Sequence, residues 1–482
     1  MSLETVAVGR KGELNPAAAI ILLTFVTVSL LLPFLDKPFH IDDTLFVWTA
    51  RQIQKNPSDF YGFMLNWDGP REPMHVVTQN PPLHAYVLAG AAWIGGWSER
   101  WLHTACLLPA VGTVLGTWCL ARRLCNRPVL AALAVATSPV FLISSTNVMC
   151  DVLMTCFWVW AVVLWLEGLE RDSHVRLAAA ALLIGLAALT KYFGICLLPL
   201  FAVYTIVRKR TFYPGLLWLL IPVATLVGYE FLTRHLYGHG LLTGASAFAR
   251  TNYLGNDQNW SGKLVATFTF AGGCLVALLL FLPRLFPSRM ILLAMALLTV
   301  GVAVVLQRLS LQCLMPSNSR PTSWDLSSQA AILIVLGLCI AVLPLLDLRQ
   351  AWLHRSAETD SSTGHEKLAI SLLLGCWVLG TMVFAGFINW SVNGRSVLPL
   401  VPAAAILMCR RWEITWPQSV STLKQCWPLL LAAVPALAAT HADYRMAWNS
   451  RDAATALAQH AQDTKTPLWF FGHWGFLVKG LS

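Results

Sequence analysis

Apolar runs of about 15 to 22 residues, parted by short polar breaks, recur along most of this 482-residue chain. Runs of that length have one stable setting. A bilayer core takes about 20 apolar residues per helix, and each unsatisfied backbone group in lipid costs several kcal/mol, so the runs must be helical. The predicted class is an all-α polytopic membrane protein. Only 12% of residues are charged, against roughly 25% in soluble domains.

The net charge of +10 does not point to nucleic acid. Lys and Arg sit in the short loops between apolar runs, where membrane orientation requires them. The partners this implies are membrane lipids and no nucleic acid. The twelve Cys residues form no CxxC pair and no metal-ligand spacing, and most lie inside apolar runs as small core residues. Cys150 and Cys313 fall near predicted loops and are the candidates for reactivity.

The first run, Ala17–Leu35, follows a tail containing Arg10 and Lys11. Its length and the lack of a small-residue cleavage site make it an uncleaved helix. Twelve further spans are predicted near 100–121, 128–145, 151–168, 175–190, 192–207, 213–234, 264–282, 289–307, 329–346, 367–389, 395–409 and 425–440. The run Leu83–Trp97, opened by Pro81-Pro82, suits an interfacial or re-entrant helix better than a crossing. If it does not cross, sixteen basic residues share the N-terminal side and seven face them in the opposite short loops. A crossing would reverse that bias. The positive-inside rule therefore predicts about 13 spans, N-terminus in.

The predicted organisation is a cytoplasmic tail (1–16), a transmembrane module (17–440) whose first outer loop spans 36–99, and an outer segment (441–482), either whole or the start of a truncated soluble domain, with a strand-like Leu468–Phe471. A loop of that length needs structure of its own. Thr44–Lys55 has the amphipathic pattern of a helix lying on a membrane surface. No internal repeat is evident.

With sidedness assigned, few ionisable residues remain near the outer face. Asp42 and Asp43 follow His40-Ile41 at the start of the first outer loop, and Asp151 opens the fourth span after Ser138-Pro139 and Asn147. Lys191 lies in the tight turn between two short spans, and Arg395 opens the twelfth, in Asn393-Gly394-Arg395. Taken singly, each has a plainer role. The acid pair is solvated or caps a helix, Asp151 caps the fourth span, and Lys191 and Arg395 snorkel to headgroups. Their shared depth argues for a common site.

Those residues, together with Pro81-Pro82-Leu83-His84-Ala85-Tyr86, Leu189-Thr190-Lys191 and an arginine followed by two prolines, resemble the GT-C glycosyltransferases. Within that fold class the pattern is similar to the protein O-mannosyltransferases and the lipid A aminoarabinose transferases, in order over about residues 17–410. The resemblance implies a GT-C bundle and a catalytic Asp in the first loop. That Asp matches Asp42, while Asp43 stands where Glu is usual and Ser396 where an aromatic is usual. Asp151 matches the second-loop acid, Lys191 the lysine near the donor phosphate and Arg395 the late arginine. Asp42, Asp43 and Asp151 are thus the catalytic candidates. Lys191, Arg395, His84, Tyr86 and His75 are the substrate-binding ones. The tail segment Gly472–Phe476 is similar to part of some members' outer domain.

The implied reaction moves a sugar from a polyprenyl phosphate to an acceptor hydroxyl on a glycan, lipid or protein, with inversion. With two fixed cations, no cofactor is required. A divalent metal is compatible with the site but not called for, and His40, Glu72 and His75 are the nearby groups that either hold one, contact the acceptor or are structural. Trp48, Trp67 and Trp101 either stack on sugar or join an aromatic belt. The expected location is a bacterial inner membrane with the site facing the periplasm. In that setting the sequons at Asn259 and Asn389 carry no meaning. The competing function is a transporter or flippase of a lipid-linked substrate, which would put ionisable residues near the bilayer midplane.

Overall fold

The computed structural model describes residues 14–67, 69–211, 213–254, 260–308, 324–357, 361–389, 391–416 and 422–464. Arg10, Lys11, Asn259, Cys313 and the segments Leu468–Phe471 and Gly472–Phe476 lie outside them.

The regular structure in these segments is helical apart from one small hairpin. Helix α1 (Pro16–Leu31) starts where its sequence predicts: Pro16 occupies the first turn, and the Asn15 side chain accepts from the Ala17 N–H at 3.0 Å. The first loop then folds into α2 (Asp43–Lys55), an antiparallel hairpin of β1 (Met64–Asn66) and β2 (Arg71–Pro73), α3 (Met74–Val77) and α4 (Leu83–Gly95). After α5 (Glu99–Leu124), the stretch predicted as one span at 128–145 is two helices, α6 (Pro128–Ala136) and α7 (Pro139–Ser145), bent by 58°. The cause is Ser138-Pro139: a residue before proline is pushed out of helical geometry, and Ser138 is extended.

Helices α8 (Asp151–Glu170), α9 (His174–Thr190), α10 (Leu197–Lys209), α11 (Leu220–Tyr237) and α12 (Leu241–Leu254) follow. Next come α13 (Trp260–Cys274) and α14 (Leu278–Leu285), bent by 89°, then α15 (Arg289–Arg308). The last five are α16 (Trp324–Ala357), α17 (Ser361–Val383), α18 (Gly394–Val397), α19 (Leu400–Thr415) and α20 (Thr422–Thr464). α13 and α16 cross so closely that a Cβ on Gly272 would sit 1.9 Å from the Leu333 carbonyl oxygen, and glycine there is a packing requirement.

Among the described residues eight helices are long and apolar enough to cross a membrane, or ten if each bent pair is one span. The other three predicted spans are α9, α19 and α20. α9 has only 17 residues and α19 only 16, yet α9 joins the Arg176–Glu167 pair to Lys191 and α19 joins Arg395 to Arg410, while α20 runs through residue 440 without a break and mixes charge into its second half. Its 43 residues make a rod of about 64 Å, twice the roughly 30 Å hydrocarbon core.

The core is apolar and dominated by large side chains, with Trp158, Trp165, Trp377 and Trp412 fully buried. Their indoles find partners where the bundle allows: Trp377 donates to the Pro399 carbonyl at 2.7 Å and Trp165 to the Thr205 hydroxyl at 3.0 Å. The outside is apolar too. Leu108 is 80% exposed, Ile21 69% and Phe25 68%, as lipid-facing helices require.

The two ends of the bundle differ. At one end Arg123 pairs with Glu167 (2.9 Å), Arg208 with Glu366 (2.9 Å) and Arg410 with Asp347 (2.8 Å), so the basic loops meet there. At the other end lies the first-loop platform. α4 packs on α2, with Gln54 donating to the Ala89 carbonyl at 2.8 Å, and its start and finish both lie at this end. His84, in its first turn, touches Val148, while Glu99 just beyond it accepts from the Phe39 N–H at 3.0 Å. The run 83–97 therefore does not pass from one end of the bundle to the other. The amphipathic face of α2 buries Phe46, Val47, Ala50 and Ile53.

Candidate active site

The platform end is where the four scattered charges converge. The geometry begins with one strained residue. Ile41 has φ +52°, a left-handed conformation that a β-branched side chain rarely adopts. Such strain persists only where the surroundings over-determine it, and functional sites are where it concentrates. The turn at Ile41 launches α2, and successive side chains in a helix point about 100° apart. Asp42 and Asp43 consequently face different ways.

Asp42 faces outward. Its side chain is 32% exposed, and Oδ2 lies 3.0 Å from Nη2 of Arg395. Asp43 faces inward and is fully buried, with Oδ2 accepting from the His40 N–H (3.0 Å) and Oδ1 from the Val148 N–H (2.9 Å). The sequence reading gives Asp43 a catalytic place beside Asp42. The structure instead makes it a tie between the first and second outer loops, with both oxygens occupied. Burial pushes the Asp43 carboxyl up to about 7, against the pull of Lys37 and its two backbone donors. A carboxyl raised in the folded state favours folding fully below its unfolded value near 3.9. That contribution is lost as pH rises towards about 7. Thermal unfolding followed from pH 4 to pH 8 should show it, with an Asp43→Asn chain giving a flatter profile.

Val148 is held from both sides, because its carbonyl accepts from Nε2 of His84 at 2.8 Å. Burial lowers the His84 imidazole to about 4, so it is neutral and carries its proton on the nitrogen facing that carbonyl. Three residues on, Asp151 begins α8, where a carboxylate suits the positive end of the helix. It is 3% exposed, and Oδ1 accepts from Lys191 Nζ at 2.6 Å. Lys191 is extended between α9 and a short turn over Tyr192–Cys196. That turn depends on Gly194, whose Cβ would meet the Ala187 backbone at 2.5 Å.

Arg395 links the two pairs. Asn393 caps its short helix, accepting from the Ser396 N–H at 3.0 Å, and the Ser396 hydroxyl, standing where an aromatic was usual, donates back to Asn393 at 3.0 Å. Besides Asp42, the guanidinium touches the Met149 thioether. Burial opposes its charge, yet Asp151 and then Asp42 hold the Arg395 guanidinium above its ordinary value. The site is thus two carboxylates and two cations from four chain segments. Three of them are 22–32% exposed, while the fourth, Asp151, is buried.

The other predicted contacts lie elsewhere. His84 is buried on Val148, and the Tyr86 hydroxyl donates to the Pro57 carbonyl, so both serve the platform rather than the site. The His75 ring stacks on Tyr237 at 4.7 Å, and Glu72 sits in β2 opposite Leu65. The His40 ring is buried with neither nitrogen hydrogen-bonded, and burial lowers its pKa. Among the described residues no three His, Cys, Asp or Glu side chains gather as a metal site. Cys150 is buried and its thiol is pushed up to about 12, mostly by burial, which makes it an inert thiol rather than a reactive thiolate. The Trp101 indole donates to the Ala91 carbonyl at 2.7 Å. The sequence reading missed Val148 and Met149. They act through a backbone and a thioether, for which residue type carries no signal.

Residues 79–229 match the family described as dolichyl-phosphate-mannose-protein mannosyltransferase. The matched stretch runs from just before α4 to the middle of α11 and contains Asp151 and Lys191. No curated protein sequence matches. Among solved structures, the chain is similar to ArnT from Cupriavidus metallidurans bound to undecaprenyl phosphate, at 14% identity and TM-score 0.42, over 83% of this chain and 78% of that one. It is also similar to the Archaeoglobus fulgidus oligosaccharyltransferase tethered to an acceptor peptide, at 13% identity and TM-score 0.49, over 94% and 59% of the two chains. A third likeness is to the arabinosyltransferase EmbB from Mycobacterium smegmatis, at 14% identity and TM-score 0.32, over 91% and 42%.

Proposed function

We propose that this chain transfers a sugar from a polyprenyl-phosphate donor to an acceptor hydroxyl at the platform end of the bundle, inverting the anomeric carbon. The observation that supports it is the convergence of Asp42–Arg395 and Asp151–Lys191, with Arg395 within electrostatic reach of both carboxylates.

Asp42 is the general base. The acceptor oxygen attacks the anomeric carbon as its proton passes to Asp42, and the bond from that carbon to the phosphate oxygen breaks. The electron pair leaves with the lipid phosphate. Inversion follows from a single attack opposite the leaving group. Lys191 and Arg395 supply fixed positive charge where negative charge grows, the type of term that is often largest in catalysis. Donor phosphate drawing Arg395 away would free Asp42 to accept the proton. Asp151, nearly buried, holds Lys191 in place and adds negative potential near the developing oxocarbenium-like carbon. Asp43 positions Asp42 and takes no proton from substrate.

On this reading the platform end faces the periplasm of a bacterial inner membrane and the basic end faces the cytoplasm, following the positive-inside rule. The testing experiment is mass spectrometry of envelope glycans, lipids and glycoproteins from cells with and without the gene. One glycosylated product should disappear with the gene and return with the wild-type chain. An unchanged envelope, together with polyprenyl-phosphate counterflow in sealed vesicles, would favour the transporter.

A further inference from the structure

Outside the charges already assigned, the most unusual polar group is Lys37. Its side chain is fully buried, and it donates to the Asn147 amide oxygen at 2.6 Å and to the carboxylate of Asp443, with which it is paired. These three residues come from the start of the first outer loop, the second outer loop and α20. Lys37 is five residues before Asp42, and Asn147 is four before Asp151. The tie is reinforced on both sides. Tyr444 donates to Asp36 at 3.2 Å, and Arg451 donates to Glu99 at 2.8 Å while Glu99 accepts from the Phe39 N–H. Residues 36, 37 and 39 are therefore all bound, directly or through Glu99, to the distal part of α20.

We propose that Lys37, with Asn147 and Asp443, is a positioning unit for the reaction centre, through which α20 holds the first and second outer loops in register so that Asp42 meets Arg395. This rests on the glycosyl-transfer reading above. The physical argument has three parts. A buried ammonium keeps its place only while its partners do, because an uncompensated charge away from water is costly. The Lys37 ammonium itself is sealed from water, so among the described residues it has only these two partners, although Asp443 keeps 15% of its side chain exposed. The chain between Lys37 and Asp42 contains the strained Ile41, which needs an anchor on its N-terminal side to be held against relaxation. Asp43 to Val148 anchors the other side. Lys37 touches neither reacting charge, and it acts on Asp42 through the backbone.

The test uses the full chain in lipid nanodiscs, with undecaprenyl phosphate as the binding probe and backbone hydrogen exchange read by mass spectrometry at one pH. Lys37→Met and Asp443→Leu should each speed exchange about tenfold in peptides covering 38–45 and 146–150, leaving the α8–α9 core unchanged. Asp443→Glu, which keeps the pair, should restore protection. Undecaprenyl phosphate affinity should hold, since Lys191 and Arg395 remain, while formation of the envelope product falls through kcat rather than KM. Unchanged exchange in both broken-pair variants would overturn the proposal. So would faster exchange spread over the whole chain, which would mark Lys37 as a general contributor to stability. Asp42→Asn, run alongside, separates the two readings. If it leaves the envelope product intact while the local exchange effect stands, the reading of Asp42 as general base fails and the positioning of the two loops by Lys37 survives.

Discussion

Asp42→Asn should leave a folded, membrane-inserted protein whose product formation falls by about 10²–10⁴-fold, the usual contribution of a general base. The size follows from what the change keeps. Asparagine retains a carbonyl oxygen that accepts from Arg395, now 3.0 Å away, so the geometry between the first loop and α18 persists. What is lost is the ability to accept a proton from the acceptor hydroxyl. Undecaprenyl phosphate should still bind, because its phosphate is proposed to contact Lys191 and Arg395. Asp43→Asn should cost much less turnover, since Asp43 is sealed from the site. The measurement is the envelope product in a deletion strain complemented by each variant. Full activity in Asp42→Asn would remove Asp42 as the base in this mechanism.

Lys191→Met is expected to do double damage. Asp151, 3% exposed, would lose its closest cation, and breaking a buried pair typically costs about 3–5 kcal/mol. Transfer should also fall about 10²–10³-fold, the scale seen when one donor to a developing anion is removed. The double variant Lys191→Met with Asp151→Leu separates the two effects. Removing both charges should recover most of the lost stability while leaving transfer low, a non-additive result that only a direct pair produces. Thermal unfolding in nanodiscs reads the first effect and product formation the second. If single and double variants unfold at the same temperature, the buried pair is not what holds Lys191.

Much of this architecture was legible before any coordinates, for a reason specific to membranes. In lipid a backbone has one economical conformation, so runs such as Ala17–Leu35 and 151–168 announce helices, and a charge among them needs a purpose. Asp42, Asp151, Lys191 and Arg395 stand out against that background. Length is the weaker part of the signal. The stretches at 175–190 and 395–409 form α9 and α19 of only 17 and 16 residues, and the stretch at 128–145 breaks into α6 and α7. The first-loop motif was legible as a pair but not as two roles. His84 and Tyr86 sat in a segment that resembled a family, yet their hydrogen bonds go to Val148 and Pro57.

From composition and order alone come the membrane class, the clustering of basic loops and a short roster of charges that must find partners. The tertiary structure decided which carboxylate faces out, because one left-handed residue at Ile41 and a backbone N–H from Val148 settle that question. It also paired Lys37 with Asp443, more than four hundred residues apart in sequence. The physical reason is the same in each case. Helix formation in lipid is a local energy, readable residue by residue. The direction of a side chain and the identity of its partner depend on packing between segments that share no local signal.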